Sequence, residues 1–212
     1  MSDVTIGVTE RNTKALTLCQ YRVLRMLFPD VPLIIHDDAS TDGTLDALAR
    51  ECKRDKLLRV LSHSGPPIRH GLSMNEIMDA ATTDYVLLLD SDVAVLSHAL
   101  LSRMRAVLSE NAKAYGCGRV LRTVPAGGGI VYLAPWFAMI RKSVWEQYPR
   151  FERRNTPCYS AMKQINDEGH AAELLIDLDG LTPDAGKVRP ARNVLPGLAI
   201  HAEHVTYDTH SD

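Results

Sequence analysis

The sequence lacks any long apolar run. No uninterrupted hydrophobic segment approaches the roughly 20 residues that a membrane-spanning helix needs. The amino terminus, Met-Ser-Asp-Val-Thr-Ile, lacks the basic and apolar regions of a signal peptide. We therefore expect no transmembrane segment, a cytoplasmic location and, at most, a peripheral contact with a membrane.

The sequence also has few cysteines and no excess of one charge. Its four cysteines lie far apart and form no C-x-x-C pair, a pattern typical of reduced thiols in an intracellular protein. The formal net charge of −2 gives no overall attraction to nucleic acid or to an anionic membrane. Apolar residues are abundant, at 45% of 212 residues, which is enough for a sizeable core. This length fits one domain over residues 1–212.

Apolar segments with two different periods alternate along the first half. Short runs such as Val4–Val8 and Pro32–His36 are typical of buried strands, and the segments between them have helical spacing. Asn12 is predicted to cap the first helix, and Ser73 with Glu76 to form a capping box at the start of the third. This alternation predicts an α/β fold with a mostly parallel, doubly wound sheet and a mixed C-terminal half.

Two carboxylates follow the most apolar of these strands. The run Tyr85-Val-Leu-Leu-Leu-Asp90-Ser-Asp92 delivers them where the strand stops. Ligands of open α/β sheets bind at the carboxyl ends of strands, and carboxylate oxygens are the ligands that Mg²⁺ and Mn²⁺ prefer. The pattern suggests a divalent cation and a phosphate-bearing ligand. The alternative is a pair of aspartates that cap the next element.

Polar groups also follow two earlier strands. Thr9 and Arg11 come after the first, and Asp37 and Asp38 come after the second. Because the carboxyl ends of parallel strands lie along one edge of a sheet, we expect these side chains to converge with the later pair of aspartates on one cleft.

The order of these segments resembles the family-2-type glycosyltransferases of the GT-A fold. Val4–Asn12 matches the first strand, Asp37-Asp38-Ala-Ser-Thr-Asp-Gly43-Thr44 matches the DDxSxDGT signature, Gly71–Asn75 matches the helix after the third strand, and Asp90-Ser-Asp92 matches the downstream D-x-D. The resemblance implies one GT-A-like domain over residues 1–212, with a nucleotide-binding half at 1–110 and an acceptor-binding half and C-terminal tail at 111–212.

The resemblance implies an enzyme that moves a sugar from a nucleotide-diphosphate donor, for which a UDP-sugar is expected, with Mn²⁺ or Mg²⁺ as cofactor. A nucleoside diphosphate leaves poorly unless a cation neutralises its charge. The acceptor stays open between a glycan, a protein and a modified nucleic-acid base. The alternative function is a catalytically inactive, nucleotide-sugar-binding relative.

The resemblance also assigns nucleotide-sugar-binding residues. It places Thr9 and Arg11 beside the nucleobase and ribose, and Asp38 at the N3–H of uracil. It places Arg69 or His70 near the base or the diphosphate. Three nearby residues of the DDxSxDGT segment, namely Asp37, Ser40 and Asp42, are expected to be structural.

The D-x-D segment and the C-terminal histidines complete the expected site. Asp90 and Ser91 would approach the ribose or sugar, with Asp90 and Asp92 as the catalytic carboxylates. Asp92 would bind the metal, and His201 or His204 is the candidate for a further ligand. The alternative for both histidines is a solvated surface position.

The second half departs from the family pattern at the catalytic base. Inverting members carry an acidic pair at a helix start, whereas Asn155-Thr-Pro-Cys158 has no carboxylate. Three explanations stay open: a base from elsewhere, with Glu152, Asp167 and Asp177 as candidates, a retaining reaction, or a different activity.

A basic segment interleaved with aromatics, Arg141–Arg154, precedes that helix. Three interpretations stay open for it. It can form a surface that recognises the acceptor, a nucleic-acid contact through stacking and phosphate pairing, or an amphipathic helix with solvated arginines.

Overall fold

The computed structural model describes residues 3–63, 65–121, 129–152, 156–178, 194–195 and 199–201. The strands in these ranges are β1 (Val4–Glu10), β2 (Leu33–Asp37), β3 (Leu58–Ser62), β4 (Tyr85–Asp90), β5 (Val93–Val95), β6 (Gly116–Leu121), β7 (Tyr132–Arg141), β8 (Leu175–Asp177), β9 (Val194–Leu195) and β10 (Ala199–His201). The helices are α1 (Lys14–Leu27), α2 (Thr44–Cys52), α3 (His70–Ala80), α4 (Leu100–Glu110), α5 (Lys142–Trp145), α6 (Tyr159–Asp167) and α7 (Ala171–Leu174).

Seven of the described strands form one mixed sheet in the order β3-β2-β1-β4-β7-β6-β8. β1 pairs in parallel with both β2 and β4, and β2 pairs in parallel with β3. β7 runs antiparallel to β4 and β6, while β8 runs parallel to β6. The sheet confirms the predicted α/β class, with a parallel first half and a mixed second half. The carboxyl ends of β1, β2, β4, β6 and β8 therefore share one edge.

The core lies on both faces of this sheet. Leu87 and Leu89 of β4 join a cluster with α1, α2 and α4, whereas Val86 and Leu88 join a second cluster with α3, α5 and α6. This alternation follows the two-residue period of a strand. A strand buried on both faces requires an unbroken apolar run, which explains the composition of β4.

A second, three-stranded sheet lies beyond the end of β4. Its order is β5-β10-β9, and its pairings are antiparallel. His201 of β10 pairs through its backbone with Val93 of β5, and Ile200 pairs with Ala94. The pairing brings the backbone of the C-terminal region next to the D-x-D segment.

Both predicted helix caps are wrong. α1 begins at Lys14, and Asn12 lies before it with a positive φ of 52° and accepts a hydrogen bond from the Thr41 amide. α3 begins at His70, so Ser73 lies inside the helix and is buried. At Asn12, polar groups of a distant segment replace the local capping pattern, since its side chain and its amide are bonded to Thr41 and Ser40.

The basic segment is not one amphipathic helix. Only Lys142–Trp145 is helical in its described part, and the aromatic side chains of Trp145 and Phe151 are buried. Arg141 donates to the hydroxyl of Tyr85, which opens β4 at the edge opposite Asp90. The segment therefore begins far from the carboxyl edge of the sheet.

Among the described helices, the longest is α1 with 14 residues. None of them combines the length and the apolar character that crossing a membrane requires.

Candidate active site

The ends of β1 and β4 meet at the centre of the carboxyl edge. Thr9 and Asp90 are partners in the parallel register, and the Thr9 hydroxyl donates to Asp90 Oδ1 at 3.4 Å. His70 joins both residues, with its Nε2 at 2.9 Å from Thr9 Oγ1 and 3.3 Å from Asp90 Oδ1. The predicted convergence of the first and fourth strand ends is confirmed.

His70 reaches this position because α3 packs closely on β1. A Cβ atom at Gly7 of β1 would overlap Ile77 of α3, so a glycine there allows the close approach. Burial lowers the pKa of His70, but the carboxylate of Asp90 more than offsets this, and the net pKa is raised above its ordinary value. A cationic imidazole beside Asp90 stabilises the ionised carboxylate.

Asp38 lies at the neighbouring strand end and is held on two sides. Its Oδ1 accepts a hydrogen bond from the Ile68 amide at 2.8 Å, and its own amide donates to the carbonyl of Glu10 at 3.0 Å. These contacts join the end of β2 to β1 and to the loop that precedes α3. Arg69 follows in that loop and is exposed, as is Arg11 in the bend after β1.

The turn that carries the D-x-D segment is anchored to α1. Gln20 Nε2 donates to the carbonyls of Asp90 and Val93, each at 2.8 Å. Ser91 is buried, and its hydroxyl is hydrogen-bonded to the Thr13 hydroxyl at 3.0 Å. The hydroxyl of Ser91 is therefore engaged in the fold, while the carboxylate of Asp92 is half-buried at the turn.

Gln20 was not predicted from the sequence as a residue of the site. It lies on the buried face of α1 together with Thr17, Tyr21 and Leu24. A glutamine at an apolar position of an amphipathic helix was the available signal, because a buried amide needs hydrogen-bond partners. The register of α1 against β4 decides which carbonyls those partners are.

No group of three or more His, Cys, Asp or Glu side chains in the described part of the chain is arranged to hold a metal. The donors near the turn still fit a hard cation, because carboxylate oxygens suit Mg²⁺ and Mn²⁺ and a histidine nitrogen is acceptable to Mn²⁺. The backbone of His201 lies beside Val93, one residue after Asp92. His204 lies outside the described residues. The metal assignment to these three residues stays a prediction.

The residues expected to be structural have structural contacts. Asp42 accepts hydrogen bonds from the amides of Lys14 and Thr44, and so links the starts of α1 and α2. Asp37 is 1% exposed and accepts from the amide of Ser40 at 2.8 Å.

A further carboxyl group, Glu10, lies against Asp37 at the end of β1. Burial and the Asp37 carboxylate raise the pKa of Glu10 to about 8. The sequence analysis did not single out this residue.

The three candidates for a catalytic base are in different places. Asp177 ends β8 and so lies on the same sheet edge as Asp90, where its Oδ1 is 3.4 Å from the amide nitrogen of Val120. Asp167 ends α6 and forms an exposed ion pair with Lys163. Glu152 is exposed.

A recess of about 270 Å³ lies beside Asp177. It is mostly apolar and is lined by Val120, Val131, Ala171, Ala172, Leu175, Ile176 and Asp177. Its lining includes Asp177, the last residue of β8, and Val120 near the end of β6, both toward the carboxyl edge of the sheet.

The start of α6 lies on the same side of the molecule. The Cys158 amide donates to the Tyr132 hydroxyl at 3.3 Å. Burial raises the pKa of both Tyr132 and Cys158, and the charge of Asp90 adds to it. The helix start thus faces the site, and its described residues carry no carboxylate.

A known protein family matches the sequence, and solved structures match the fold. Residues 8–164 match the family described as glycosyl transferase family 2. No curated protein matches the sequence.

Three solved structures illustrate the likeness in fold. A mannosyltransferase, PcManGT from Pyrobaculum calidifontis in complex with GDP-Man and Mn²⁺, has a TM-score of 0.67 at 16% identity over 86% of this chain and 55% of that one. The glucosyl-3-phosphoglycerate synthase of Mycobacterium tuberculosis in complex with UDP has 0.61 at 14% identity over 84% and 70%. S. aureus TarS 1-349 in complex with UDP-GlcNAc has 0.56 at 18% identity over 76% and 53%.

The fold is that of the GT-A-like glycosyltransferases. Since the family match covers most of its length, the chain belongs to glycosyl transferase family 2. It spans about half the length of the mannosyltransferase, at 55%.

Proposed function

We propose that the chain transfers a sugar from a UDP-sugar with the help of Mn²⁺ or Mg²⁺. The observation that carries this proposal is the junction of Thr9, His70 and Asp90 at the carboxyl edge of the sheet. Ligands of open α/β sheets bind at that edge. The match to family 2 supports the same class of reaction.

The chain's own residues would bind and orient the donor. Asp92 would hold a divalent cation, which supplies charge neutralisation for the diphosphate leaving group. Asp90, whose carboxylate is positioned by His70 and Thr9, would orient the ribose or the sugar. The anchoring of its backbone by Gln20 limits movement of this carboxylate.

Asp38 would select the base. Its Oδ1 is occupied by the amide of Ile68, which leaves Oδ2 to accept the N3–H of uracil. A site with a buried acceptor discriminates against bases that leave it unpaired. The related structures carry UDP, UDP-GlcNAc and GDP-Man, so their ligands support the nucleotide-diphosphate class rather than one base.

The acceptor would bind to the second half, residues 111–212. The apolar recess beside Asp177 supports this placement because it lies on the same edge as the proposed donor site. A glycan, a protein or a modified nucleic-acid base would be the acceptor. The basic segment gives no specific support to nucleic acid, since Arg141 and Arg150 are bonded to Tyr85 and Asp79.

A second candidate function is an inactive relative that binds nucleotide sugars without transferring them. The absence of a carboxylate from the described start of α6 favours it, because inverting members are expected to carry their base there. Turnover of a nucleotide sugar separates the two candidates.

The deciding experiment is a thermal-shift series with UDP, ADP, GDP and dTDP, each without a divalent cation, with Mn²⁺ and with Mg²⁺. Ligands that bind the native state raise Tm. UDP with Mn²⁺ should raise Tm most, with an affinity about tenfold above that of ADP, or ~1.4 kcal/mol. The Asp38→Ala variant should reduce the difference in affinity between UDP and ADP. Asp46→Asn, at an exposed position of α2, should leave this difference unchanged.

Two outcomes contradict the proposal in different ways. If GDP or dTDP stabilises the protein more than UDP does, the donor assignment is wrong and the fold assignment stands. If no nucleotide raises Tm with either cation, the whole function is wrong.

A further inference from the structure

Two carboxyl groups lie together in the interior behind the proposed nucleotide site. Glu10 is the last residue of β1 and Asp37 is the last residue of β2, and the two are partners in the parallel register. Glu10 is 4% exposed and Asp37 is 1% exposed. Adjacent strands lie about 4.8 Å apart, so paired side chains on the same face touch. Ser40 bridges them, since its hydroxyl donates to Glu10 Oε1 and its amide donates to Asp37 Oδ1.

The surrounding donors satisfy all but one of the oxygens. Glu10 Oε1 accepts from the Ser40 hydroxyl and Oε2 accepts from the Thr13 hydroxyl, both at 3.1 Å. Asp37 Oδ1 accepts from the Ser40 amide. Asp37 Oδ2 is buried and has no donor among the described residues. A buried acceptor without a donor costs free energy, and two ionised carboxylates in contact repel each other.

Within the described part of the chain, the residues in contact with Glu10 include no cation. β2 contributes the carboxyl group of Asp37, and α1 contributes the hydroxyls of Thr13 and Thr17. Lys14 at the start of α1 and Asp42 in the turn between β2 and α2 are charged residues nearby in the fold, and the Lys14 amide donates to Asp42. Among the described groups that set its charge state, Asp37 is the ionisable one.

We propose that Glu10 is protonated at neutral pH and donates a hydrogen bond to Asp37 Oδ2, so that the carboxyl pair holds the ends of β1 and β2 together. A proton on Glu10 removes the repulsion between the two carboxylates and supplies the hydrogen-bond donor that Asp37 Oδ2 lacks. Glu10 is thus a positioning residue for the site.

Two observations support this inference. Burial, followed by the hydrogen bond and charge of Asp37, raises the pKa of Glu10 to about 8. The pair also connects directly to the base-binding turn, because the Glu10 carbonyl accepts from the Asp38 amide and Ser40 bonds to both carboxyl groups. Ionisation of Glu10 would therefore loosen the turn that carries Asp38.

The sign of the pH effect follows from the raised pKa. The folded protein keeps a proton that the unfolded chain, with a glutamate pKa near 4.3, has released. Protonated Glu10 therefore contributes fully to the free energy of unfolding at acidic pH. This contribution is lost progressively as the pH rises from about 4.3 toward 8. At pH 9 only about one-tenth of Glu10 is protonated, so an affinity that requires the protonated form falls about tenfold.

The test compares wild type with Glu10→Gln over pH 6 to 9.5. Glutamine keeps the shape and an N–H donor for Asp37 but does not ionise. The Tm of the wild type should fall relative to that of Glu10→Gln as the pH rises. The affinity for UDP with Mn²⁺ should fall about tenfold between pH 7 and pH 9 in the wild type, whereas in the variant this fall should be largely absent.

Matched controls keep the test decisive. Glu110→Gln makes the same change at the exposed end of α4. Its Tm and its affinity for UDP should depend on pH as they do in the wild type. If Glu10→Gln does not fold, Asp37→Asn is the second variant, since it removes the neighbouring charge and should also reduce the pH dependence of Tm. An NMR titration of the glutamate carboxyls should show one midpoint well above 7 that is absent from Glu10→Gln.

Parallel Tm curves for wild type and Glu10→Gln, with no glutamate titrating above pH 7, would overturn the inference. The part about affinity rests on the proposed function, whereas the titration and the Tm comparison do not. If the Tm difference between wild type and Glu10→Gln depends on pH as expected but UDP never binds, the proposed function is wrong and the protonation of Glu10 is supported. If UDP binds with the same pH dependence in both proteins, the positioning role fails and the donor proposal stands.

Discussion

Individual side chains shape the candidate site mainly through hydrogen bonds between distant strand ends. His70 joins Thr9 to Asp90, and Gln20 holds the backbone of the following turn. Asp38 is bonded to the loop before α3. These contacts lock the carboxylates in place before any ligand binds, which lowers the entropic cost of binding.

The two carboxylates of the D-x-D segment should respond differently to removal of their charge. Asp92→Asn removes a charge and a cation ligand with little change of shape. Mn²⁺-dependent affinity for UDP should fall by at least about tenfold, or ~1.4 kcal/mol. Asp90→Asn should lower turnover more than it lowers metal affinity, because Asp90 is held by His70 and Thr9.

Calorimetric titration of UDP with and without Mn²⁺, together with initial rates, checks this prediction. Asp84→Asn makes the same change at an exposed position before β4, on the opposite edge of the sheet, and should behave as wild type. Unchanged Mn²⁺-dependent affinity in Asp92→Asn would remove the metal assignment.

At the scale of elements, the short strand β10 connects the end of the chain to the site. Its antiparallel pairing with β5 places the backbone of His201 beside Val93. Three paired residues contribute little to global stability but are enough to fix a local geometry.

Removal of the tail should therefore affect activity more than folding. Deleting residues 198–212 should lower Mn²⁺-dependent turnover at least about tenfold while Tm falls by only a few degrees, since a loss of ~1 kcal/mol shifts Tm by about 2–4 °C in a domain of this size. Among point variants, His201→Ala should weaken Mn²⁺ dependence more than His204→Ala, because the backbone of His201 is paired beside the D-x-D segment.

Turnover assays over a series of Mn²⁺ concentrations, with thermal melts of the same samples, test the tail. A shorter deletion of residues 205–212 retains both histidines and serves as the control. Full metal-dependent turnover after deletion of 198–212 would show that neither histidine is a ligand.

At the scale of the whole molecule, the mixed sheet brings the second half to the same edge as the first. β7 runs antiparallel to β4, and β6 and β8 return in the direction of β4. The carboxyl end of β8 therefore points toward the proposed donor site, and Asp177 with the adjacent recess lies there.

This topology distinguishes the three candidate bases. Asp177→Asn should reduce the turnover number by about 100-fold or more with a small change in KM for the donor, the size expected for loss of a general base. Glu152→Gln and Asp167→Asn should keep activity close to wild type, since Glu152 is exposed and Asp167 is paired with Lys163.

Steady-state kinetics with a nucleotide sugar and its acceptor, or donor hydrolysis alone, measure these effects. If all three variants keep wild-type turnover, the reaction needs no base from this set and a retaining reaction is favoured. A large loss in Glu152→Gln or Asp167→Asn would contradict the placement of the acceptor beside β8.

The sequence by itself determined the class of fold and the strand ends that carry the candidate site residues. The unbroken apolar run of β4 predicts a strand buried on both faces, and the aspartates at its end mark the ligand edge. These features are local in the chain, because strand period and buried length depend on neighbouring residues. Asp42 and Asp37 were likewise expected to be structural, and both accept hydrogen bonds from backbone amides in the turn before α2 and at the start of α2.

Only the tertiary structure decided the helix starts and the partners of the buried polar groups. The first helix begins two residues after Asn12 because Asp42, nearly thirty residues away in the chain, accepts a hydrogen bond from the Lys14 amide. The positions of Gln20, His70 and Glu10 depend on the register between β1, β2, β4 and the helices that pack on them. A buried polar group takes its role from the partner that packing brings to it, and that partner is not specified by spacing along the chain.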